Sequence, residues 1–144
     1  MASWRDVKRL ALALPGTSER TSYGNVAWAV HEKTFAWERP LRAADIAALG
    51  KSAPTGPILG VHTDGLEMKE ALLASDPFVF FTTPHFDGYA AVLVRLGRIS
   101  SPKLKAVLVD AWLVRAPKRL AAEFLQSNEG ASTKRVRRAP QKAR

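Results

Sequence analysis

The sequence predicts an α+β fold, an antiparallel five-stranded sheet with helices packed on one face, in the order α-β-β-β-α-β-β-α. Three observations lead there. Large apolar residues alternate with small or polar ones over residues 26–38 and mark two hairpin-linked strands. Helical periodicity occupies both ends of the chain body. Strands joined by short turns, with helices outside them, favour an antiparallel sheet covered by helices. No segment of 20–50 residues repeats, which excludes a solenoid.

Ser3, with Asp6 three residues later, predicts a capped helix start, and Val7, Leu10, Ala11 and Leu14 form its buried stripe. Pro15-Gly16 stops that helix, and Thr17 to Ser22 reads as a polar loop. In the hairpin, Val26, Trp28 and Val30 share one face, His31-Glu32-Lys33 is the turn, and Phe35 and Trp37 fall together on the return strand. Arg39-Pro40 ends pairing because proline has no N–H to donate. Ala43 to Leu49 is compatible with a short helix, and residues 57–62 read as the third strand. Asp64 and Glu67 open a helix whose apolar positions are Leu66, Met68, Ala71, Leu72 and Leu73; Asp76-Pro77 closes it. Residues 78–82 form an aromatic strand, 84–89 a loop, and 90–96 a strand apolar on both faces. Ser101-Pro102 starts the most regular helix, with Leu104, Val107, Leu108, Ala111 and Trp112 along one stripe. Ala116-Pro117 breaks it, and residues 118–125 continue with Leu120 and Phe124 inward.

The chain has 144 residues, a length suited to one domain, and carries a formal net charge of +9. Hydrophobic residues make up 47% and charged residues 24%, which excludes collagen, coiled coil and wholesale disorder. There is no cysteine, so disulfides, thiolate metal sites and cysteine nucleophiles are excluded. The opening MASWRDVKRL places charges where a signal peptide needs an apolar core, so a cytoplasmic, soluble protein is expected. Residues 126–144 hold six basic residues and one acid, with Val136 as the one bulky apolar side chain. That composition predicts a disordered basic tail following a domain of residues 1–125.

The segments LALPGTSERTSYG, ERPLR, FFTTPHFDGYAAVLVRL and DAWLVRAPKRLA, in that order, resemble the MmcQ/YjbR family of small bacterial proteins. The resemblance spans about residues 3–125. It implies an α-β3-α-β2-α fold with an antiparallel sheet, in agreement with the order read from periodicity. It also implies a DNA-binding role, since family members are generally labelled so, and it brings no catalytic residues. The tail beyond Leu125 inherits nothing from it.

The residues bear on three functional classes. The phosphate-loop, dinucleotide, zinc-helix and nucleophile-elbow motifs are all missing. His31, His62 and His85 are not at ligand spacing, so no metal and no cofactor is expected. His85 and Asp87 offer one imidazole and one carboxylate without a third partner, so a non-enzymatic protein is expected. For nucleic acid, the cations singled out are Lys33 in the hairpin turn, Arg115, Lys118 and Arg119 at the helix break, and Lys134, Arg135, Arg137 and Arg138 in the tail. Arg5, Lys8 and Arg9 add a solvent patch on the first helix. Such clusters bind phosphates by releasing counterions, so the leading expectation is double-stranded DNA bound with weak sequence preference by a monomer. The alternative is a protein- or small-ligand-binding module that uses an aromatic face. Its residues are Tyr23, Trp37, His85, Tyr89 and Arg95, the last on the sheet face opposite the main core.

Overall fold

The computed structural model describes residues 2–135, with side chains described through residue 127. Helix α1 (Trp4–Leu12) leads into strands β1 (Thr17–Ser22), β2 (Asn25–Val30) and β3 (Lys33–Glu38). Helix α2 (Ala43–Leu49) precedes β4 (Ile58–His62), and α3 (Gly65–Ser75) precedes β5 (Phe80–Phe81) and β6 (Ala91–Arg95). Helices α4 (Ser101–Arg115) and α5 (Lys118–Arg135) follow. The strands form one six-stranded sheet in the order β1-β2-β3-β4-β6-β5, and every pairing is antiparallel.

The sixth strand corrects the expected five. Thr17–Ser22 pairs with β2 along its whole length, from Thr17 opposite Val30 to Ser22 opposite Asn25. It lies at the sheet edge with no buried residue, so it has no apolar alternation for a sequence reading to find. Its backbone ladder, not its side chains, makes it a strand. The turn into β2 is Tyr23-Gly24, both at positive φ (51° and 81°). That pair of left-handed residues is what a two-residue hairpin matched to the sheet twist requires.

A second correction concerns β3. Trp28 pairs with Ala36 but Ala29 pairs with Thr34, so Phe35 is an extra residue on the return strand. A bulge of one residue reverses which face the following side chains take. Phe35 is therefore fully buried in the main core while Trp37 lies on the opposite face, not beside it.

The helices also do not all pack on one face. The main core lies between the sheet and α1 and α4, and includes Val7, Trp28, Phe35, Leu59, Val92, Leu104, Leu108 and Trp112. A smaller cluster on the other face gathers Ile58, Phe81, Phe86, Ala91 and Leu93, with Trp37, Leu41 and Leu49 against it. Leu49 belongs to α2 and Phe86 to the 3-10 turn Pro84–Phe86, so this second face is covered by those short elements. Ser3 and Asp6 form the expected reciprocal capping box, but α4 is capped by Ser100 rather than Ser101, and Asp64, at the N-cap of α3, makes no side-chain capping hydrogen bond. In α3 the apolar pattern misleads, because Leu66 and Met68 are exposed and Lys69 is the buried residue. Val109 and Leu113 are partly buried against the main core, where they serve packing.

Helix α5 runs past Leu125, so the domain boundary expected there falls inside a helix. The side chains of Lys134 and Arg135, and residues 136–144 with Arg137 and Arg138, lie outside what is described. Among the described residues no helix is long and apolar enough to cross a membrane.

Candidate functional site

A cleft of about 640 Å³ opens on the second face of the sheet. Its floor is the indole of Trp37, which lies over Gly60, its cross-strand partner on β4. A Cβ built on Gly60 would stand 2.5 Å from Trp37 Cε2, so only glycine lets the ring lie this close to the strand. Around it the rings of His62, Phe86 and Tyr89 form a continuous aromatic group. Trp37 is 5.2 Å from His62 and 6.5 Å from Phe86, and Tyr89 is 5.8 Å from His62 and 6.0 Å from Phe86. His85 meets the edge of Phe86 at 4.9 Å, and Tyr23, 99% exposed at the hairpin tip, stands on the rim.

Two buried cations hold this wall in place. Lys69, on α3, donates from Nζ to the carbonyl oxygens of Phe86 and Tyr89 and so ties down both ends of the 86–89 loop. Burial lowers its pKa, with Asp87 and Glu70 acting in the opposite direction. Arg39, 5% exposed, lies 5.2 Å from the centroid of the Phe86 ring and pairs with buried Asp45 at 3.0 Å. Burial raises the Asp45 carboxyl, but the Arg42 N–H and the Arg39 charge more than offset it and hold the pKa below the ordinary value. Arg39 Nη1 also donates to the Pro40 carbonyl, while Nη2 is buried without a hydrogen-bond partner.

His62 stands at the end of β4 and lines this cleft and a second groove of about 370 Å³ between α3 and α4. Burial, then the Arg115 charge, lower its pKa to about 4, and its hydrogen bond to the Ala90 backbone only partly opposes them. The imidazole is therefore neutral at physiological pH.

Of the aromatic-face residues expected from sequence, Tyr23, Trp37, His85 and Tyr89 converge on the one cleft. Arg95 lies on the expected sheet face but elsewhere: its guanidinium sits 4.4 Å from the Phe81 ring centroid and donates to the Pro77 carbonyl. The cations expected to bind phosphate are less unified. Lys33, Lys118 and Arg119 are exposed, whereas Arg115 is half-buried at the end of α4, with Nε unpartnered. His85 and Asp87 make no hydrogen bond with each other, and no cluster of His, Asp and Glu able to hold a metal occurs among the described residues.

From the sequence no site role is expected for Gly60, Lys69, Arg39 or Asp45, and His62 enters only as a histidine outside ligand spacing. A glycine inside an otherwise apolar strand was the available signal for Gly60, since it marks a close approach. Lys69 carried none, because a lysine in an amphipathic helix is ordinarily solvated.

Comparison with known proteins adds relatives without a stated activity. A family model described as YjbR matches residues 12–114. The uncharacterized proteins Rv2570 of Mycobacterium tuberculosis and Mb2600 of Mycobacterium bovis are each 47% identical over 131 residues, covering 89% of this chain and 99% of the relative. The crystal structure of Deinococcus radiodurans protein DR2400, with the family-model domain DUF419, superposes with a TM-score of 0.58 at 19% identity. That match covers 79% of this chain and 78% of the other, and it establishes likeness of fold.

Proposed function

The chain belongs to the YjbR family, and from that premise we propose that it is a non-enzymatic module that binds a small planar ligand in the cleft over Trp37. The observation that carries this reading is the seating of the Trp37 indole on Gly60. A large apolar ring is held flat at the floor of an open cleft, where a planar molecule can stack on it. The cleft wall is built at some expense, with a buried lysine and a buried ion pair fixing the loop that carries Phe86 and Tyr89. Catalysis is not part of the proposal, because the imidazoles and carboxylates around the cleft do not pair as acid and base.

Titration with 2-naphthol, an uncharged planar probe, tests it. The four tryptophan indole N–H signals can be assigned by comparison with Trp37→Phe. The Trp37 signal should move most. Gly60→Ala forces the ring off the strand, so it should lower the melting temperature, at a cost of about 1–3 kcal/mol, and weaken probe binding. If the Trp37 signal stays still while the probe binds elsewhere, the cleft is not the working surface.

DNA binding is the second reading, favoured by exposed Lys33, Lys118 and Arg119, none of which has an ion-pair partner among the described residues, and by the basic residues after Leu125. Because α5 continues past Leu125, truncation there would cut a helix, and charge removal is the cleaner test. On duplex DNA between about 50 and 200 mM salt, the basic residues after Leu125 alone should contribute a slope of roughly −4 to −5 in log K against log salt. Replacing Lys134, Arg135, Arg137 and Arg138 by Gln should flatten it by roughly 3 to 4. No binding at the lower salt would end this reading, and an unchanged slope would remove the tail from it.

A further inference from the structure

We propose that the groove between α3 and α4 is a second binding site, suited to a small primary amine whose apolar body lies on Met68, Leu72, Val107 and Val114 and whose ammonium group pairs with Asp64 and Asp110. This groove of about 370 Å³ shares only His62 with the cleft over Trp37, so the two can be tested separately. A volume of this size suits a small organic molecule. Met68 on α3 and Val114 on α4 are exposed along it, an apolar surface that the fold itself does not cover.

The charge on the lining sets the class of ligand. The chain carries a net charge of +9, yet the groove has the opposite sign. Among the described residues it is lined by two carboxylates and by no lysine or arginine, and His62 is neutral at physiological pH. Neither carboxylate is used by the fold. Asp64 makes no capping hydrogen bond to α3, and neither it nor Asp110 has an ion-pair partner among the described residues. The residues three and four positions from Asp110 along α4 are Ala106, Val107, Leu113 and Val114, so its helical neighbours supply no cation. Burial raises the Asp110 pKa, with no positive charge to offset it. An uncharged apolar ligand would displace water from these carboxylates without replacing its hydrogen bonds, and an anion would be repelled. The two form no cluster able to hold a metal among the described residues. A primary ammonium supplies both a positive charge and three donors.

The test compares 2-phenylethylamine with 2-phenylethanol, which has the same shape and no charge, on the full chain at neutral pH. Calorimetry reads affinity. The Met68 methyl signal reads location, and Met68→Leu assigns it because the chain has two methionines. The amine should bind about fivefold more tightly than the alcohol, the scale of a partly exposed ion pair, and the gap should narrow as salt is added. Asp64→Asn combined with Asp110→Asn keeps both shapes and removes both charges. The probes should then bind within about twofold of each other, while the Met68 signal still moves. Equal affinity of the two probes for the wild-type protein overturns the inference, because the groove then serves uncharged apolar molecules, and this outcome needs no variant to fold. An undiminished preference in the folded double variant also overturns it, since the cation is then held elsewhere. So does an amine that fails to bind, or that binds without moving the Met68 signal.

Discussion

Trp112→Ala should destabilise the protein by about 3–5 kcal/mol, a loss that thermal or denaturant unfolding will read directly. Trp112 is fully buried between α4 and the sheet, and its ring lies 4.9 Å from that of Phe124 on α5. Its indole N–H donates to the carbonyl of Pro15, at the end of the first helical segment. One side chain thus joins α4 to the next helix and to the end of the first helical segment, 97 residues away in sequence. Truncation leaves a cavity and removes the donor from the Pro15 carbonyl, so two penalties fall on one site. Trp112→Phe, which keeps most of the volume, should recover the larger part of the loss. A melting temperature unchanged in Trp112→Ala would show that α4 is not packed as described.

Asp45→Asn should cost about 3–5 kcal/mol, because it leaves the Arg39 charge buried without its counterion. Both side chains are almost wholly enclosed, at 6% and 4% exposure. Replacing the pair together, as Arg39→Met with Asp45→Leu, should be far milder, since the desolvation of both charges disappears with their attraction. The pair also predicts an acid limb. The Asp45 pKa is depressed in the folded state, so its contribution is fully present above the unfolded value near ~3.9 and is lost as pH falls through the folded one. The stability of the wild-type protein should therefore fall more steeply below about pH 4 than that of the double variant. Parallel curves would mean that the pair does not titrate with folding.

Both effects depend on features of different legibility in the sequence. Trp112 could be placed because Leu104, Leu108 and Ala111 repeat at helical spacing around it, and periodicity is a local property of the chain. The hairpin, the proline breaks and the Ser3–Asp6 capping box were readable for the same reason. The first strand was not, because an edge strand exposed on both sides has no need of apolar residues. The placement of Trp37 was not, because the bulge at Phe35 inverts the faces and a bulge has no fixed residue signature. In the cleft, Tyr23, Trp37, His85 and Tyr89 were legible as aromatic or polar residues near turns. Arg39, Asp45 and Lys69 were not, since a buried charge is recognised only by the partner that tertiary structure brings to it. The cations chosen for DNA were selected by local charge alone. Arg115 shows the weakness of that criterion, being half-buried with its charge acting on His62.

The polar strand at the sheet margin has a consequence for how the protein behaves in a crowded solution. The open side of a sheet is a template on which another extended chain can add, and long flat apolar margins are where fibrils start. Here one margin is Thr17–Ser22, with Glu19 and Arg20 on adjacent positions and every side chain wholly or partly exposed; the other is only the two residues Phe80–Phe81. An incoming strand at the first would have to desolvate charges on both faces, and at the second it would find almost no ladder to extend. The hydrophilicity that hides this strand from a sequence reading is thus the same property that guards the folded protein against growth by strand addition.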